Sequence, residues 1–242
     1  MDWIDSAFVM HVRPHGETNA VLEAFTRLNG RHSGLVRGGR SRKIRPSLQT
    51  GNLLKLEWRA RLADHLGFFT LELDRPYAAR HLDDRLGLAA ISSMVTLCGL
   101  MPERDPHPAL FDMAVLVLDH LGEAALWPAL MVRWELRLLS ELGFGLDLEQ
   151  CAATGVRDDL IYVSPKSGGA VSAAAGERYK DKLLRLPAFL RGAARVSATP
   201  EDVRDGFTLT EHFLERYLTE QRGLPLLPAR QDFLRVFDRW GG

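Results

Sequence analysis

Five short apolar stretches crowd into the first 75 residues, with no helix-length pattern among them. This crowding constrains the fold most, because short strands so close in sequence satisfy their backbone groups by pairing with one another. In the first stretch Ile4, Phe8, Met10 and Val12 fall on alternate positions with Ser6 between them, the period of a half-buried strand. Val21 to Thr26 is the second. Asn29-Gly30 follows, a hairpin signal because both residues tolerate positive φ, and His32 to Arg37 is the return strand. On the fourth, Leu54, Leu56 and Trp58 alternate with Lys55, Glu57 and Arg59, which places charge outward. Phe68 to Leu73 is the fifth. Five strands at this spacing predict a small closed barrel over residues 1–78.

The remainder, residues 79–242, reads as helical. Leu82, Leu86, Ala89, Ala90, Met94, Leu97 and Met101 recur at three- and four-residue intervals. The proline-rich run Pro102 to Pro108 ends that helix and starts the next. Leu110 to Leu121 and Pro128 to Leu142 predict an apolar pair closed by Gly143 and Gly145. A further helix begins near Pro200, with Thr199 as its cap. A last one covers Arg230 to Arg239, with Phe233, Val236, Phe237 and Trp240 on one stripe. Residues 151–176 are rich in Gly, Ala and Ser and read as a loop-dominated insertion. No internal repeat and no low-complexity linker occurs. The fold class expected is α+β, a β module followed by a helical bundle.

Charge separates the two halves. The chain carries 31 basic and 31 acidic side chains, a formal net charge of zero. Between Arg27 and Arg61, however, there are ten Lys or Arg residues and one acid, Glu57. Like charges at this density repel unless a polyanion relieves them. Arg37-Gly38-Gly39-Arg40-Ser41-Arg42-Lys43-Ile44-Arg45 is the most distinctive run: its glycines allow close backbone approach, and its cations are spaced along it. It lacks the Gly-Lys-Ser/Thr ending of a phosphate-binding P-loop. A phosphate chain would be held by Arg13, Arg31, Arg37, Arg40, Arg42, Lys43, Arg45, Lys55, Arg59 and Arg61. Phe25, Trp58, Phe68 and Phe69 interleave with the basic strands. Such rings either stack bases or fill the barrel, and the apolar strand face of Phe25 favours the core.

Covalent chemistry finds no support. The pairs Asp83-Asp84 and Asp158-Asp159 are adjacent, point apart on a helix and suit caps better than a metal or acid–base pair. The eight histidines show no metal-ligand spacing, and no serine lies in a nucleophile elbow. Two cysteines, Cys98 and Cys151, are too few for a disulfide framework. No apolar run reaches the roughly 18 residues of a membrane span. The opening residues do not resemble a secretory signal, so a cytoplasmic location is expected.

Ala7 to Met10, Arg13-Pro14-His15-Gly16-Glu17-Thr18, Phe25-Thr26, Asn29-Gly30-Arg31, Gly38 to Ser41 and Leu48-Gln49 occur in the order and spacing of a known family. So do Arg133-Trp134-Glu135-Leu136-Arg137-Leu138-Leu139, Leu142 to Gly145 and Cys151. On these residues the chain resembles the bacterial RecO family, mediators of recombinational DNA repair. The match is strong over residues 1–60 and 130–175 and weak over the last 65.

The resemblance implies an N-terminal OB-fold, a helical domain and a zinc-finger-like insertion. It implies binding to single- and double-stranded DNA, annealing of complementary strands and loading of RecA. The partners implied are RecR and the acidic C-terminal tail of the single-stranded DNA-binding protein, SSB. Arg133 and Trp134, with Arg137 one turn on, are the residues implied for the tail; otherwise both arginines are surface residues whose stems cover apolar core. Many relatives hold zinc through two CxxC-like pairs. Here only Cys151 remains, with Thr154 at the first pair's second position and Ser172 and Ala175 near the second pair. No zinc and no other cofactor is therefore expected. A protein-interaction adaptor and an RNA-binding OB protein remain open alternatives.

Overall fold

The computed structural model describes residues 1–62, 64–191, 198–223 and 227–240. Five strands open the chain: β1 (Asp2–His15), β2 (Asn19–Thr26), β3 (Gly30–Val36), β4 (Leu53–Arg59) and β5 (Phe68–Arg75). They close into a barrel in the order β1-β2-β3-β5-β4. Neighbours are antiparallel except at one seam, where β3 meets β5 in parallel through Leu35–Phe68 and Val36–Phe69. Ala7, Val9, Leu22, Leu54, Leu56, Trp58 and Phe69 fill the interior.

The face assigned to β1 from its alternation is the opposite of the observed one. Ala7 and Val9 point into the barrel, while Phe8 and Met10 are buried on its outside. Phe8 packs on Phe111, with ring centroids 4.8 Å apart. Ile4, at the uncovered end, is 62% exposed. A strand covered on both faces reads as alternating in either register, so the pattern found the strand but not its inner side.

The β2–β3 hairpin turns at Asn29-Gly30 as expected. Gly30 takes φ +65°, and a Cβ there would lie 2.3 Å from the Asp105 carbonyl oxygen, so only glycine fits. Buried Asp5 fixes the turn from β1: its carboxylate accepts from the Leu28 amide at 2.7 Å and from Asn29 Nδ2 at 2.9 Å.

The helices follow: α1 (Tyr77–Arg80), a single turn; α2 (Arg85–Cys98); α3 (Pro108–Asp119); and α4 (Trp127–Glu141). Asp84 caps α2 by accepting from Gly87 N at 3.0 Å, the capping role its pair suggested. The stretch expected to be loop-dominated, residues 151–176, is about half turn and irregular backbone and also carries short strands. The segment from 147 onward holds β6 (Asp147–Cys151), β7 (Leu160–Val163), β8 (Gly169–Ser172), the single turn α5 (Ala173–Gly176) and β9 (Leu184–Arg185). These strands form a second sheet in the order β6-β8-β7-β9. Then come α6 (Pro200–Arg222) and α7 (Pro228–Trp240). Thr199 caps α6 in both directions: its hydroxyl accepts from Asp202 N at 3.1 Å, and the Asp202 carboxylate accepts from Thr199 N at 3.0 Å.

The architecture is thus mixed α+β. The chain divides into two compact units that do not coincide with a boundary near residue 78. The first comprises Met1–Asp112 and Leu227–Trp240, so that α7 packs on α2. The second comprises, among the described residues, 113–191 and 198–223, and in it α4 packs on α6.

Candidate nucleic-acid interface

The basic run between β3 and β4 is a folded loop of successive turns. Its backbone is tied to the barrel at its start, where Gly38 N donates to Asn19 Oδ1 at 3.0 Å and Arg40 N to the Thr18 carbonyl at 3.0 Å. At its end Asn52 Nδ2 donates to the Pro46 and Ser47 carbonyls. Leu48 inserts into the barrel core and Ile44 packs against it. With backbone and apolar residues turned inward, the cations are turned outward.

Two grooves flank this loop. The larger, of about 870 Å³, gathers Arg40, Arg42 and Arg45 against Val12 and Pro14 of β1. The smaller, of about 400 Å³, gathers Arg37 and Arg59 with Ile44, Phe68 and Leu71. Lys43 is exposed between them in sequence. The ten cations named from sequence therefore do not form one patch. Arg13 on β1 and Arg61 after β4 are exposed. Lys55 lies in a different groove among Asp5, Glu72 and Asp74.

Several of the cations already have partners. Arg31 is half-buried, 2.9 Å from Glu23 and 3.8 Å from Glu103, so its charge is met within the protein. Arg59 pairs with Glu57 on its own strand. Arg40 Nη1 donates to the Gly16 and Glu17 carbonyls at 3.0 and 2.9 Å, bracing the β1–β2 turn while staying exposed. Among the described residues Arg13, Arg42, Lys43, Arg45, Lys55 and Arg61 form no ion pair. Arg42, Lys43 and Arg45 on one ordered loop are the densest group of unneutralised charge.

Of the four aromatics named from sequence, three are core. Phe25 and Phe69 are buried, and Trp58 is 2% exposed, stacked on Trp3 at 5.7 Å with its Nε1 donating to the Leu66 carbonyl at 3.1 Å. Trp58 therefore stacks no base. Phe68 is 44% exposed, and the Arg37 guanidinium lies 4.5 Å from its ring centre. Gly67 fixes its place, because at φ +65° a Cβ there would lie 2.4 Å from Trp58 Nε1.

In the second unit Arg133 is exposed on α4, with Nη2 donating to the Phe189 carbonyl at 2.6 Å and its guanidinium 5.9 Å from the Phe189 ring centre. Arg137, one turn on, pairs with Glu141. Trp134 is fully buried and cannot touch a docked peptide. Both arginines are exposed, and of the two only Arg137 is held in an ion pair among the described residues.

Positions 151, 154 and 172 do come together, although far apart in sequence. Cys151 is buried, and its sulfur accepts from the Ser172 amide at 3.3 Å. Burial pushes this thiol up, but hydrogen bonds from the Thr154 hydroxyl, the Ser172 amide and hydroxyl and the Ala153 amide outweigh it, bringing the thiol down to about 6. Two hydroxyls and the Ala175 methyl replace three thiolates, a donor set that does not fit zinc. Cys98 is different: buried in α2 without such donors, its thiol is pushed up to about 12.

Comparison with known proteins bears on both units. A family model described as Recombination protein O N terminal matches residues 1–77, and one described as Recombination protein O C terminal matches residues 82–224. The chain is 53% identical to the DNA repair protein RecO of Methylorubrum populi over 241 residues, 98% of each chain. It is 50% identical to the DNA repair protein RecO of Methylobacterium nodulans over 240 residues, again 98% of each. To the protein of that name from Rhodopseudomonas palustris it is 50% identical over 244 residues, 99% of this chain and 95% of the other.

Proposed function

Since the chain belongs to the RecO family, we propose that it is a DNA-binding recombination mediator in DNA repair and that it makes or breaks no covalent bond. In this reading the barrel binds single- and double-stranded DNA through phosphates. By neutralising two complementary strands it lets them approach and anneal, and it helps load RecA onto SSB-coated strands in the cytoplasm. The observation that carries this reading is the ordered basic loop, whose Arg40, Arg42 and Arg45 converge on one groove with Lys43 beside them. Phosphate-based binding carries little sequence information, so weak sequence preference follows.

Fluorescence anisotropy with a labelled oligonucleotide at several salt concentrations tests it. Affinity should fall steeply with salt, the slope counting the phosphates neutralised. A flat response, or no binding at low salt, sinks the reading. Replacing Arg42, Lys43 and Arg45 together with Ala should lower affinity and shallow the slope while leaving the fold intact. Arg40 is better left in place, because its loss also unbraces the β1–β2 turn. Competition between DNA and RNA of equal sequence separates the RNA-binding alternative, since only RNA offers 2′-hydroxyls.

RecR and the SSB tail are the partners proposed, with Arg133 receiving the tail's carboxylates. Pull-down with the tail peptide should fail on Arg133→Ala. The same loss on Arg137→Ala alone would move the site, because Arg137 is committed to Glu141. The chain is also proposed to work without zinc; metal analysis returning one zinc per purified chain overturns that.

A further inference from the structure

We infer that Phe68 is a stacking platform for one unpaired base, giving the barrel a contact specific to single strands. The inference rests on the DNA-binding reading and adds a division of labour to it. The Arg42–Lys43–Arg45 loop meets phosphates of any strand, whereas Phe68 meets a base that only an unpaired strand can present.

The geometry that points there is local. Among the described residues β5 pairs with β3 only at Phe68 and Phe69, so past the seam the two strands part and leave a groove of about 400 Å³. Phe68 lies at its mouth, and the cross-strand neighbour of Phe68 is Arg59. Arg37 covers the ring at 4.5 Å. Ile44 and Leu71 supply apolar walls. A single exposed ring on a protein surface is ordinary. An exposed ring in a groove of ligand size, walled by aliphatic side chains and covered by the Arg37 guanidinium, matches one nucleotide: an apolar face for the base and a cation for its phosphate, Arg59 beside it being already paired with Glu57.

The ring is also preorganised. Gly67 and the Trp58–Leu66 hydrogen bond hold the chain just before it, and pairing with Leu35 and Arg59 holds its backbone on both sides. In the absence of DNA the Arg37 guanidinium occupies the ring face through a weak exposed cation–π contact, which a base can replace. Arg37 then moves to the phosphate. A base in a duplex has its faces covered by neighbours and cannot reach the ring without being extruded.

Anisotropy on three labelled ligands tests this: a single-stranded oligonucleotide, the same backbone with abasic sites, and the duplex. Phe68→Ala should weaken single-strand binding about tenfold, within the range known for stacked bases, and leave duplex binding within about twofold. The salt slope should not change, because no phosphate contact is lost. Phe68→Trp should restore single-strand affinity. The unaltered protein should bind the abasic strand about as weakly as Phe68→Ala binds the intact one. Circular dichroism confirms folding of both variants, whose changed side chain is exposed. Equal losses on single strand and duplex, or no loss on either, overturn the inference and leave the DNA-binding reading standing. Failure of the unaltered protein to bind DNA overturns both.

Discussion

The molecule contains two sheets, and they differ in strand length and in what lies at their edges. The barrel is filled by side chains: Leu22, Leu54, Leu56, Trp58 and Phe69 interdigitate, and most of its stability resides in apolar burial. The sheet β6-β8-β7-β9 has strands of two to five residues. At its β6 edge a buried sulfur accepts from the Ser172 amide at 3.3 Å, and Thr154, Ser172 and Ala153 together bring its thiol down to about 6. Only two residue pairs join β6 to β8, Asp147–Gly169 and Cys151–Ala170. In this smaller sheet a polar hub stands beside the apolar burial of Leu160, Tyr162, Val163 and Val171. The hub here is a single thiol, the Cys151 sulfur, which accepts from the Ser172 amide.

The sharpest way to break this comparison is to remove volume from the barrel. Trp58→Ala deletes a buried ring, its stacking on Trp3 and the Nε1 bond to Leu66. The expected cost is about 3–5 kcal/mol, the range for large-to-small core changes. Since the chain has two compact units, hydrogen exchange resolved by segment is the suitable measurement. Protection should fall across β1–β5 and much less in β6–β8. A loss spread evenly over both sheets would mean that their stabilities are not separable.

His32 sharpens the contrast from inside the barrel. It is buried among Trp3, Trp58 and Phe69, and neither ring nitrogen has a hydrogen-bond partner among the described residues. Burial first, and then the positive charge of Arg104, outweigh the pull of Glu103 and lower its pKa to about 4. An unfolded chain takes up this proton near 6.5. Above pH 6.5 both states are neutral and the full stability is present. As pH falls from 6.5 toward 4 the unfolded state gains the proton first, and stability drops by at most about 3 kcal/mol. His32→Phe should flatten that part of the stability-versus-pH curve. An unchanged slope would show that other groups set the acid limit.

The contrast also explains what could be read from sequence. Strands β2 to β5 were legible because one face is apolar, as in Leu54-Lys55-Leu56-Glu57-Trp58, and because Asn29-Gly30 marks its turn. The inner face of β1 was not, because Phe8 and Met10 are buried on the outside. Strands β7 and β8 escaped notice because Gly169 to Ser172 is buried throughout and shows no alternation. The basic loop was visible as composition, but which cations remain unpaired depends on Glu23, whose alignment with Arg31 is a matter of register, and on Glu57, two residues before Arg59 on the same strand face. The exposure of Phe68 depends on where the β3–β5 seam ends, which no local pattern encodes. Trp134 was misplaced because its flanking arginines suggest a surface, yet neighbours on a helix point elsewhere; for Trp58 the sequence left core and base stacking open, and burial decides for the core.

A smaller effect is expected at the sulfur hub. Cys151→Ala removes the acceptor and leaves the Ser172 amide and two hydroxyls without it, costing about 1–3 kcal/mol. Exchange should quicken at Ala152 and Ser172 and stay unchanged in the barrel. If the barrel loosened as much as β6 and β8, the hub would not be a local device.

Thr154→Val takes away one donor and keeps the acceptor, and its effect should be the smallest, about 1 kcal/mol or less. The Ser172 amide still reaches Cys151 at 3.3 Å, so the sulfur keeps backbone support. What Thr154 contributes beyond that is charge balance: without its hydroxyl the thiol loses a hydrogen bond that favours the thiolate, and its pKa should rise from about 6 toward the ordinary value. Titrating the thiolate absorbance at Cys151 in a Cys98→Ala background measures this directly. A rise with little change in exchange protection means that Thr154 tunes the sulfur while the backbone holds the turn. No rise would return the low pKa to the Ser172 amide and hydroxyl and the Ala153 amide, and the hub would then tolerate any small residue at position 154.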